Sequence, residues 1–86
     1  MIIDIHTHVP ARTQWDRFIA ECLVNGVDVA VASSLGVSGW PPYPDSDHVS
    51  QANDHACSFA EFGGDMVLWF AYLNPQNPDW EAEFHR

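Results

Sequence analysis

The chain has 86 residues, 47% of them hydrophobic, with 12 Asp plus Glu against three Arg and no Lys, for a formal charge of −9. That hydrophobic share belongs to a core-forming chain and excludes disorder, while the acidic balance excludes nucleic acid as a general partner, because phosphate recognition draws on clustered Lys and Arg. No basic stretch leads into an apolar one at the start, and the longest apolar run, Met66 to Leu73, is strand-length; no signal peptide or membrane span is expected, and the cytoplasm is the expected compartment.

Met1-Ile-Ile-Asp-Ile-His6-Thr-His8 opens the chain. Ile2 to His6 reads as a buried strand, and alternation places Ile2, Asp4, His6 and His8 on one face with Ile3, Ile5 and Thr7 on the other. Two imidazoles with a nearby carboxylate at a strand's carboxyl end suit a divalent metal with nitrogen and oxygen ligands. Zinc is the first expectation, with manganese or iron as alternatives. A catalytic zinc takes about three protein ligands plus water, so His6 and His8 are half of a site. Delivery of functional groups from strand C-termini is also the layout of an α/β barrel.

Val9-Pro10 ends the strand. Thr13 is placed to cap a first helix, whose apolar stripe is Trp15, Phe18, Ile19, Cys22 and Leu23, and Asn25-Gly26 ends it. Val27 to Ala32 reads as a second strand. The Gly- and Pro-rich stretch from Leu35 to Asp47 is a long loop, in which Trp40 and Tyr43 could wall a planar or acidic small-molecule substrate. Ser46 or Asp47 starts a second helix with Val49, Ala52, Ala56, Phe59 and Ala60 inward and Gly63-Gly64 at its end. Met66 to Leu73 reads as a third, doubly covered strand, and Asn77 as the cap of a third helix. Three successive βα units imply a parallel sheet with right-handed crossovers.

Cys22 and Cys57 form no metal or redox spacing and are expected as reduced thiols. His48, His55 and His85 are expected on solvated helix faces, because none has a histidine partner four residues on.

The opening motif resembles the first strand of the amidohydrolase superfamily, in its amidohydrolase-related branch of metal-dependent hydrolases and aminocarboxymuconate-semialdehyde-type decarboxylases. Val27 to Ser34 is similar to that branch's second strand, Gln51-Ala-Asn-Asp54 to its second helix, and Phe70-Ala-Tyr-Leu-Asn-Pro75 to the end of its third strand. The resemblance implies that the chain is the first three βα units of a (β/α)8 barrel, one portion of a single domain. A whole barrel takes about 250 residues. It also implies that His6 and His8 bind the metal together with a later histidine and a terminal aspartate, and that Asn53 orders the loop above its helix. Some superfamily members bridge two metals with a carboxylated lysine, which this chain lacks, so one metal is expected.

Two alternatives remain open. PHP phosphoesterases and TatD-type nucleases also begin with an Asp-x-His-x-His strand, although this chain has few basic groups for phosphate. A non-catalytic fragment is the other, with open strand edges met by a second copy or another chain.

Overall fold

A computed structural model of the chain describes residues 1–36 and 41–86. Among them, β1 (Ile3–His8), β2 (Val29–Ser33) and β3 (Val67–Trp69) form a parallel sheet in the order β1-β2-β3. Helix α1 (Trp15–Val24) joins the first two strands, α2 (Ser46–Gly63) joins the second and third, and α3 (Trp80–His85) follows. The expected α/β alternation with parallel pairing is present.

Small residues on β2 decide where the helices lie. Ala30 and Ala32 point to one face and are buried, and the fully buried Phe59 of α2 packs there with Val67 of β3 and Trp15 of α1. The Phe59 ring centroid lies 5.3 Å from those of both Trp15 and Phe18. Both connecting helices therefore share one side of the sheet. Gly63 completes the fit, since a Cβ there would stand 2.3 Å from Val67 Cγ2.

The opposite face is bare. Ile3, level with Val29, is 52% exposed, and Leu68, level with Val31, is 58% exposed. Ile5 and Phe70 are exposed as well. Such exposure on β1 and β3 is what a sheet without opposing strands requires.

Several boundaries differ from the sequence reading. Thr13 lies inside a 3-10 turn, Arg12–Gln14, and caps nothing; Gln14 precedes α1 without a side-chain cap. Leu23 is 66% exposed, because the stripe that packs is Trp15, Phe18, Ile19 and Cys22. The α1 end does match, with Gly26 at φ 74° and the Val27 N–H donating to the Cys22 carbonyl at 2.9 Å. Asp45, not Ser46 or Asp47, caps α2 by accepting the His48 N–H at 2.9 Å. Asp79, not Asn77, precedes α3, and Asn77 instead donates to the Pro44 carbonyl. β3 spans only three residues: after Phe70 donates to the Ala32 carbonyl at 2.9 Å, the chain leaves the ladder.

The two faces should respond oppositely to mutation. Phe59→Ala is expected to cost about 3–5 kcal/mol, whereas Ile5→Thr on the bare face should change stability by about 0.5 kcal/mol or less. Urea melts of the two variants beside the parent check this.

Candidate metal centre and its supports

β1 does not alternate evenly. Asp4 is level with Ala30 and Thr7 with Ala32, so three steps on β1 match two on β2, and a β-bulge lies between Asp4 and Thr7. Paired residues of a parallel ladder share a face. Asp4 and Thr7 are therefore both brought to the helix-covered side, where Thr7 is buried, and His6 and His8 project from the bare face. Asp4 is thus not beside the imidazoles, as strict alternation requires. It is near Cys22 instead, whose thiol pKa is raised by burial and then by the charges of Asp4 and Glu21. Its link to the pair runs through the backbone: Asp4 Oδ1 accepts the His6 N–H at 3.0 Å, supplying an acceptor where the bulge interrupts the ladder.

His6 and His8 stand together. Their ring centroids are 5.2 Å apart with the planes at 83°, and both side chains are exposed. With Zn–N of about 2.1 Å, two imidazoles on one tetrahedral zinc have centroids roughly 5 Å apart, a separation of the same size as that of this pair. His8 is level with Ser33, which places the pair at the carboxyl ends of β1 and β2. No group of three or more His, Cys, Asp or Glu side chains able to hold a metal exists among the described residues. His6 and His8 are the candidate ligands the strand ends bring together.

The exits of the strands are tied to the helices by polar groups. Asn53, 5% exposed, accepts the Tyr72 N–H at 2.7 Å and donates its amide to the Tyr72 carbonyl and to Glu83 Oε1, each at 2.8 Å. It therefore fixes the chain leaving β3 in the way a neighbouring strand would. Glu83 also accepts from Ser50 and from Arg86, which pairs in addition with Asp54 at 2.7 Å. These bonds, led by the one from Arg86, bring the Glu83 carboxyl down to about 2 despite partial burial.

On the other side, Trp15 Nε1 donates to the Pro10 carbonyl at 2.9 Å, and the indole stacks on His55 with centroids 5.9 Å apart. His55 Nδ1 is 3.1 Å from Ser34 Oγ, which accepts the Gly36 N–H at 3.0 Å. His55 is not on a solvated face, as its helix position alone suggests; it is half-buried between the exits of β1 and β2. Ser34, Glu83 and Arg86 carry no sequence signal for these roles. Only Ser34, at a strand end, stood in a suggestive place.

Tyr43 is 82% exposed, and Trp40 lies outside the described residues. Cys22 is buried and Cys57 half-buried, both as free thiols. No helix among the described residues is long and apolar enough to cross a membrane. Compared with protein-family models, curated proteins and solved structures, the chain matches none.

Asn53→Ala should be severe, because it removes at once the acceptor for the Tyr72 N–H and a donor to the Tyr72 carbonyl and to Glu83 Oε1, at a cost of about 2–3 kcal/mol. The Glu83 network also sets an acid limit. Its carboxyl is lowered from 4.5 to about 2 on folding, so its contribution is full above about pH 4.5 and is lost as pH falls toward 2. Urea melts across this range should show the decline, and Glu83→Gln should flatten it.

Proposed function

We propose that the chain carries the first metal ligands of a metal-dependent hydrolase or decarboxylase of the amidohydrolase superfamily, on the opening βα units of a (β/α)8 barrel. The observation that carries this reading is the His6–His8 pair, held at chelating separation on the bare face of a parallel sheet, at the carboxyl end of its first strand. In such barrels the bare face is the interior and functional groups stand at this end. The apolar surface of Ile3, Ile5 and Leu68 is consistent with a face meant to be covered.

His6 and His8 would hold the ion through ring nitrogens in their neutral form. A divalent metal bound there supplies Lewis acidity, polarising a substrate oxygen or lowering the pKa of water. The donor set suits zinc first, and manganese or iron next. Asp4 contributes by fixing the His6 backbone, not as a ligand. The resemblance assigns the remaining ligands and the general base to later strands of the family. The proposed substrate is a small acidic or planar molecule, and a hydrolytic or decarboxylating outcome depends on groups beyond this pair.

Two imidazoles alone give modest affinity. If complete structural zinc sites are worth about 10–16 kcal/mol, half a site implies dissociation constants of roughly 1–200 μM. Isothermal titration with zinc or manganese is expected to show one weak site, lost in the His6→Ala/His8→Ala double variant. Binding that survives in the double variant, or none in the parent, would remove the metal reading.

A further inference from the structure

We propose that His55 is a protonation-sensitive anchor of the β2 exit: in its neutral form it takes the Ser34 hydroxyl proton and holds Gly36 in place, and in its charged form it releases them. This goes beyond the metal reading and does not depend on it.

The argument begins with hydrogen-bond accounting. Ser34 is 5% exposed, so its hydroxyl must find its partners within the protein. Its oxygen already accepts the Gly36 N–H at 3.0 Å, and among the described residues His55 Nδ1, at 3.1 Å, is the acceptor in reach for its proton. In its neutral Nε2–H tautomer His55 accepts that proton at Nδ1. Gly36 has φ 96°, a conformation open mainly to glycine, and the bond from its N–H to Ser34 closes that turn. Protonation places a proton on Nδ1. Ser34 then receives two donors and, among the described residues, has no acceptor for its own hydrogen in a buried position.

The surroundings favour the neutral form. On one side the ring stacks on Trp15, and the Arg12 guanidinium lies 5.2 Å from that same indole. Burial first, and then Arg12, hold His55 below the ordinary histidine value of 6.5. The adjacent carboxylate on α2, Asp54, is engaged by Arg86, and the residue after β2 that meets the ring is the uncharged Ser34. The folded state binds the proton less readily than the unfolded one. The anchor is therefore intact above the ordinary value and loosens as pH falls through the lowered one. Ser33, one residue before Ser34, is level with His8, so the loosened segment borders the histidine pair.

The test is amide exchange by NMR on the whole chain, with His55 ring protonation followed in the same samples. After correction for intrinsic rates, protection of the Gly36 amide should fall about tenfold on protonation, with a midpoint matching the His55 ring and with the Ala32 amide unchanged. In His55→Asn, whose side-chain oxygen can stand near Nδ1 without titrating, Gly36 protection should stay level across the same range. Gly36 protection that ignores the His55 titration, that falls together with Ala32, or that falls equally in His55→Asn would overturn the proposal.

Discussion

Phe59 sets the architecture because of what lies beneath and beside it. Its fully buried ring needs an apolar seat, and Ala32 on β2 and Val67 on β3 provide one shallow enough for α2 to approach the sheet. Trp15 and Phe18 then close on the same ring from α1. Once both are committed to one side, the other side of the sheet has no cover, and the side chains there face solvent whatever their polarity.

That asymmetry gives the histidine pair its setting. A strand with even alternation would send Asp4 and both imidazoles to the same face. The bulge between Asp4 and Thr7 separates them, so Thr7 seals the helix side while His6 and His8 stand free on the bare side. The histidine pair gains from the exchange, because the Asp4 carboxylate accepts the His6 N–H where the bulge interrupts the ladder. The carboxylate's role is structural support delivered through the main chain.

Polar side chains of α2 finish what the short strands cannot. β3 has three residues, too few to direct the chain beyond it, and Asn53 takes over by bonding both the N–H and the C=O of Tyr72. His55, two residues later, reaches the β2 exit through Ser34. One helix thus governs two strand ends. The Arg86, Glu83 and Asp54 cluster then secures α3 against it, with one of the few cations in a chain of net charge −9 placed between two carboxylates.

Much of this was legible in the sequence. Periodicity in Trp15, Phe18, Ile19 and Cys22, and in Val49, Ala52, Ala56 and Phe59, marks the buried helix stripes, because burial of a helix face leaves a repeat that needs no knowledge of the partner. Gly26 and the Gly63-Gly64 pair mark helix ends through backbone conformations and close approaches that other residues resist. His-x-His states its own geometry, since residues two apart on a strand share a face. The rest depended on contacts between distant segments. The bulge that moves Asp4 away follows from how β1 registers against β2, and nothing local announces it. Asn53 and His55 acquire their partners only when α2 lies across the ends of β2 and β3, and Asp45 rather than Ser46 caps that helix because Asp45 has the extended backbone that aims its carboxylate at the His48 N–H. Local chemistry fixed which segments become strands and helices and which side chains can bind a metal. Tertiary packing alone decided which face those side chains occupy, because a face is defined by what covers the other one.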